Sequence, residues 1–192
     1  MTTFDIQRFL IELPWIIFVA YWLLGALKTK PVSRRESFAS RYGILFIEIT
    51  GFVLIFYNQV TLGFLEHHLV SRTLGLSLTG IVLTWIGIAL AIWARHHLGQ
   101  YWSGRVTIKE DHQLIRTGPY ATMRHPIYSG LVLAAAGSAL AIDRWRGVLG
   151  VVLILFGYCL KAMKEESMLS ERFGEAFEEH RKHTGFLIPR LR

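Results

Sequence analysis

Arg124-His125-Pro126-Ile127-Tyr128 places a guanidinium, an imidazole and a phenol at the mouth of an apolar run, Ile127 to Ile142, that carries no charge. Proline suits the first turn of a helix, where its missing N–H costs nothing. The amides exposed at such a helix start favour a bound anion or carboxylate. His125 and Tyr128 can both exchange hydrogen bonds with a ligand. Ionisable groups at the edge of a membrane segment are functional candidates by default. Further along stands Lys161-x-x-x-Glu165-Glu166-x-x-Leu169, where Lys161 and Glu165, four apart, share a helix face. Taken singly, the first motif reads as a proline-started helix with an interfacial tyrosine and a snorkelling arginine. The second reads as a surface ion pair of little worth. Their placement at the two feet of one helical hairpin makes them a candidate site.

The elements that must position them are membrane helices. The chain has 192 residues, of which 52% are hydrophobic and only 18% charged, and its mean hydropathy is +0.36. A bilayer crossing takes roughly 20 apolar helical residues. The sequence predicts an all-α, multi-pass membrane protein with about five transmembrane helices, near 9–27, 42–65, 74–96, 127–142 and 147–162. The last two form a short hairpin around Asp143-Arg144-Trp145-Arg146. Lys164 to His183 is predicted to be a cytoplasmic amphipathic helix with Met168, Leu169, Phe173 and Phe177 on one side, and Thr184 to Arg192 to be irregular. The first segment reads as a retained span rather than a cleaved signal, because Glu12 and Pro14 interrupt it.

The formal charge of +7 is topological. Seventeen of the 21 basic residues fall in the connections after the first and third spans and in the C-terminal tail. The positive-inside rule then sets the N-terminus outside and the C-terminus in the cytoplasm, in a bacterial inner membrane or an ER-type membrane. The expected partners are membrane lipids, some of them anionic, and not nucleic acid.

Gly80, Thr84, Gly87 and Ala91, and again Gly130, Ala134, Gly137 and Ala141, form small-residue seams of the kind that let helices approach closely in lipid. Residues 97–124 are too charged to be embedded, and Arg105 to Lys109 is rich enough in β-branched residues to be extended. The adjacent pairs His67-His68 and His96-His97 point about 100° apart on a helix, so no metal site is expected. The lone Cys159 reads as a small hydrophobe. No glycine-rich nucleotide loop is present.

Gly118-x-Tyr120, Arg124-His125-Pro126-x-Tyr128, Glu165-Glu166-x-x-Leu169, Phe173-Gly174 and Pro189 together resemble the isoprenylcysteine carboxyl methyltransferase family and its relatives, the integral-membrane phospholipid methyltransferases. The resemblance covers about residues 98 to 192. It implies a single integral-membrane domain, in which 1–73 supply N-terminal helices and 74–192 the catalytic, cofactor-binding part. It further implies an enzyme that uses S-adenosylmethionine to methylate a lipid-like or prenylated acceptor. By the same resemblance the cofactor contacts Arg105, His112, Gln113, Leu114, Ile115, Tyr120, Arg124, His125, Pro126, Ile127 and Tyr128. The catalytic, acceptor-side residues are Lys161, Glu165 and Glu166. Lys161 stands where the family has arginine, and a lysine offers a point charge in place of a planar fork. The acceptor is therefore open among a prenylcysteine carboxylate, another lipid acid, an amine and a thiol. The rival readings are a membrane reductase of the steroid-reductase-like type using a nicotinamide cofactor, and a non-enzymatic membrane scaffold.

Overall fold

Helical hydrogen bonds are closed within each segment, so an apolar chain that enters lipid folds into helices and packs them afterwards. A computed structural model describes residues 3–26, 32–35, 38–57, 62–70, 73–99, 107–109 and 114–190. The helices are α1 (Thr3–Ala26), α2 (Phe38–Phe56), α3 (Leu74–Leu98), α4 (Pro126–Ile142), α5 (Trp145–Phe173) and α6 (Glu175–His183). Among the described residues, three helices are long and apolar enough to cross a membrane, α1 (over Asp5–Gly25), α3 and α5; α4 is a shorter apolar helix. The all-α expectation holds, with one small addition. Strands β1 (Val32–Arg35) and β2 (Thr107–Lys109) form a small antiparallel ribbon with Val32 opposite Lys109 and Arg35 opposite Thr107. The extension expected at 105–109 is thus seen over its last three residues.

The α3 and α4 seams pack on each other. A Cβ on Gly87 would come within 2.4 Å of the Ala134 backbone nitrogen, and one on Gly130 within 2.5 Å of the Gly87 carbonyl. A Cβ on Gly80 would meet the Gly137 carbonyl at 2.5 Å. Only hydrogen fits at these crossings. The polar members of the seam satisfy one another: Thr84 Oγ1 lies 3.2 Å from Ser138 Oγ, which also accepts the Trp15 indole N–H at 3.0 Å. A second close crossing joins α2 to α5, where Gly51 and Gly150 face each other's backbone.

The α4–α5 turn is tighter than the four residues expected. Only Asp143 and Arg144 separate the helices, and Asp143 adopts a left-handed conformation at φ 55°. Its carboxylate bonds the Val70 amide and the His68 ring. Arg146, 2% exposed, donates to the carbonyls of Leu54 and Tyr57 and faces Glu66, which also pairs with Arg144. The charges of the turn are thereby held between α2, the 62–70 segment and the hairpin.

At the other end the fifth helix is not short. It continues from the apolar run through the charged stretch to Phe173 and breaks at Gly174, whose φ is +52°. The single amphipathic helix expected over Lys164 to His183 is instead the end of α5 followed by α6. Residues 184–190 are non-helical, as expected.

Candidate active site

The hairpin turn sets α4 and α5 antiparallel, so the start of one lies beside the end of the other. Tyr128 donates its hydroxyl to Glu165 Oε1 at 2.5 Å. Arg124 donates Nε–H to Glu166 Oε1 at 2.6 Å. The His125 ring lies between the two acids, with Nε2 3.1 Å from Glu166 Oε1 and Nδ1 3.5 Å from Glu165 Oε2. An imidazole donates from both nitrogens only when protonated. Burial of His125 opposes that charge, but the two carboxylates outweigh it, and its pKa is raised above the ordinary 6.5.

An aromatic stack continues inward. The His125 and Tyr128 rings are 5.6 Å apart and nearly parallel, and Tyr128 stacks on Tyr158 at 4.9 Å. The Lys161 ammonium stands 5.4 Å from the centre of the Tyr128 ring and 6.0 Å from that of Tyr158. Lys161 therefore faces ring π-clouds, a favourable place for a cation, and makes no ion pair with Glu165 among the described residues.

The C-terminal segment backs this cluster through main-chain bonds. Gly185 N–H donates to the Thr122 carbonyl, Arg124 N–H to Gly185 and His125 N–H to Phe186. Ser129 Oγ–H donates to the Leu187 carbonyl at 2.5 Å. Arg124 also donates Nη1–H to the Thr184 carbonyl at 2.6 Å, and the Phe186 ring meets His125 edge-on at 5.3 Å. Upstream, Gly118 holds φ +58° with the His97 ring against it, so that a Cβ there would come within 2.7 Å. The turn it makes buries Pro119 and Tyr120, and burial pushes the Tyr120 phenol well above its usual range.

The structure thus brings together Tyr120, Arg124, His125, Pro126, Ile127, Tyr128, Lys161, Glu165 and Glu166. Leu114 and Ile115 are half-buried, and Ile115 packs against the same apolar core as Tyr120, Ile127 and Tyr128. Arg105, His112 and Gln113 lie outside the described residues. Pro126 and Ile127 are buried in the first turn of α4, which has no side-chain cap; the Ile127 and Tyr128 amides at this start are the kind that hold a carboxylate.

The sequence reading passed over three neighbours of the site. Tyr158 is the second face of the stack, and Phe186 walls His125. Glu48, 8% exposed, sits in the notch left by Gly157, where a Cβ would touch its Cγ at 2.9 Å. It lies near the hydroxyls of Tyr158 and Tyr128. An acid inside an apolar helix was the available signal for Glu48. Tyr158 and Phe186 have no such signal.

The profile of the isoprenylcysteine carboxyl methyltransferase family matches residues 79–171. A protein-S-isoprenylcysteine O-methyltransferase of Schizosaccharomyces pombe is 28% identical over 190 residues, covering 93% of this chain and 72% of the yeast protein. That of Saccharomyces cerevisiae is 26% identical over 192 residues, covering 96% and 80%. A probable protein-S-isoprenylcysteine O-methyltransferase of Oryza sativa subsp. indica is 32% identical over 84 residues, 42% of this chain and 44% of the rice protein. The matched stretch runs from within α3 through the Arg-His-Pro segment and α4 into the last turn of α5, and includes both glutamates. Over residues 79–171, this chain is similar to the isoprenylcysteine carboxyl methyltransferase family.

Proposed function

We propose that this protein is an integral-membrane methyltransferase that uses S-adenosylmethionine to methylate a lipid-like acceptor, with a prenylcysteine-type carboxylate as the first candidate. The observation that carries this reading is the convergence of His125 and Tyr128 with Glu165 and Glu166 at one end of the hairpin. Five apolar helices, α1 to α5, cross the membrane, with this end of the hairpin and the C-terminus on the cytoplasmic side.

The residues present fit the donor. The faces of Tyr128 and Tyr158 and the carboxylates of Glu165 and Glu166 suit a cationic group. The uncapped start of α4 suits a carboxylate. Tyr120, His125, Ile127 and Tyr128 hold the donor, with Leu114 and Ile115 on the same side. When bound, S-adenosylmethionine supplies a methyl group on a sulfonium, already activated for displacement.

The chain's own work is then to position the partners and exclude water. Lys161 orients an acceptor carboxylate with its ammonium, moving from the tyrosine rings to the incoming charge. Glu165, fixed by Tyr128, and Glu166, fixed by Arg124 and His125, hold the site's shape. A carboxylate acceptor has no proton to lose, so no base is required. An amine acceptor would release one, and Glu165, 26% exposed at its side chain, is placed to take it.

The test is to incubate the purified full chain with radiolabelled S-adenosylmethionine and N-acetyl-S-farnesylcysteine. A base-labile labelled ester is expected. Absence of label in that probe and in the extracted lipid fraction would overturn the reading.

A further inference from the structure

Behind the Thr184 wall of the active site lies a separate cleft of about 450 Å³. It opens between the segment leading into α4 and helix α6, and is lined by Arg116, Thr122, Glu179, His180, His183 and Arg190 among others. None of these has a part in the proposed reaction. Arg116 donates Nη2–H to the Ala176 carbonyl at 2.6 Å, and Arg190 donates Nη1–H to the Lys182 carbonyl at 2.5 Å. Each guanidinium carries five N–H donors, so each is anchored through one terminal nitrogen and keeps donors to spare. Neither meets a carboxylate among the described residues. The acid in the lining, Glu179, is already engaged by His183 at 2.8 Å and by Lys182 at 3.3 Å.

Two anchored, uncompensated guanidiniums with two imidazoles and a hydroxyl around one opening form a donor set for a tetrahedral oxyanion. Arginine's fork matches phosphate geometry, and anchoring lowers the ordering cost of binding. His180 agrees with this reading: it is 8% exposed, and burial with the nearby charges of Arg116 and Arg124 disfavours its protonated form, Glu166 alone favouring it. Before any imidazole ionises, two guanidiniums face one carboxylate in the lining.

We propose that this cleft binds a phosphate-type anion, a phosphodiester or phosphomonoester, at the end of the molecule where α5 gives way to α6. Two sources share that chemistry, the headgroup of an anionic phospholipid and a soluble phosphate ester. The cleft wall reaches the active site by one short path. Thr184 Oγ1 donates to the His180 carbonyl at 2.6 Å, and the Thr184 carbonyl accepts from Arg124. An occupant therefore stiffens the segment that holds Arg124 on Glu166.

The experiment uses the full chain in nanodiscs of phosphatidylcholine. One arm titrates in glycerol 3-phosphate and reads binding by calorimetry. The other replaces part of the phosphatidylcholine with phosphatidylglycerol and counts retained lipids by native mass spectrometry. Binding in the first arm identifies a soluble ligand; selective retention of one phosphatidylglycerol in the second identifies a lipid. In the responding arm, Arg116→Gln with Arg190→Gln weakens binding by at least about tenfold. Glu179→Gln, which removes the opposing charge, tightens it, a gain that a misfolded variant cannot show. Arg172→Gln, on α5 and outside the lining, leaves it within about twofold. The proposal is overturned if neither arm shows binding, or if Arg172→Gln lowers it as much as the double variant does.

Discussion

Tyr128 and Glu165, 37 residues apart in sequence, meet through a 2.5 Å hydrogen bond that closes the foot of the α4–α5 hairpin. The bond ties the Arg-His-Pro segment to the paired glutamates, and each motif gains its meaning from the other. Tyr128→Phe keeps the ring stack and leaves Glu165 without this donor. The expected loss is about 1–3 kcal/mol of stability, read by thermal unfolding in detergent, with weaker binding of S-adenosylmethionine. Unchanged stability and binding would deny the bond its role.

The α3–α4 seam makes a sharper prediction. Gly87→Ala places a methyl 2.4 Å from backbone, so the helices must separate, at a cost of about 1–3 kcal/mol or more. Gly43→Ala in α2 meets nothing within 4 Å and is expected to be neutral, or to stabilise by up to about 1 kcal/mol through helix propensity. A fall in Tm for Gly87→Ala with no fall for Gly43→Ala checks the pair.

At the hairpin turn, Arg146→Met leaves Glu66 and the Leu54 and Tyr57 carbonyls without their buried partner. Breaking one side of a buried charge network costs about 3–5 kcal/mol. Glu66→Met in the same chain is expected to restore part of that loss. A double-mutant cycle on denaturant midpoints measures it.

Two histidines give stability opposite pH slopes. The His125 pKa is raised in the folded state, so its contribution is complete below the ordinary value near 6.5 and is lost as pH rises through the folded value. His180 is lowered, so its contribution is complete above 6.5 and is lost as pH falls through its folded value. Stability is expected to peak between the two folded values. His180→Phe should flatten the acid limb alone, and a Tm profile against pH shows whether it does.

In the proposed reaction Lys161 orients the acceptor. Lys161→Arg supplies the planar fork that pairs a carboxylate. For N-acetyl-S-farnesylcysteine it is expected to lower the acceptor KM while leaving the donor KM unchanged. A change confined to the donor KM would place Lys161 on the other side of the site.

How much of this was legible in the chain depends on the range of the interaction. The α3 and α4 seams were readable because lipid leaves close packing of small residues as a main source of helix association, and their spacing is periodic. The Arg-His-Pro start of α4 and the glutamate pair were readable because ionisable groups beside apolar runs are costly. The end of α5 was misplaced because Lys161 marks where the apolar run stops, while helical hydrogen bonds carry on into water; the real stop is Gly174, a glycine at the expected helix end. The Gly51–Gly150 crossing lacks a matching periodic pattern on α2. The pairing of Glu66 with Arg144 and Arg146, and the strap of residues 184–190 across Thr122 to Ser129, join segments distant in the sequence. Much of that strap is backbone bonding, which no side-chain pattern announces.

In the proposed reaction His125 and Tyr128, fixed by Glu165 and Glu166, form the donor site. Calorimetric titration of the purified full chain with S-adenosylmethionine tests it most directly, with His125→Ala and Tyr128→Phe alongside. Saturable binding to the native chain is expected, weakened by Tyr128→Phe and lost with His125→Ala while both variants remain folded. No binding to the native chain, or equal binding to all three, would contradict it.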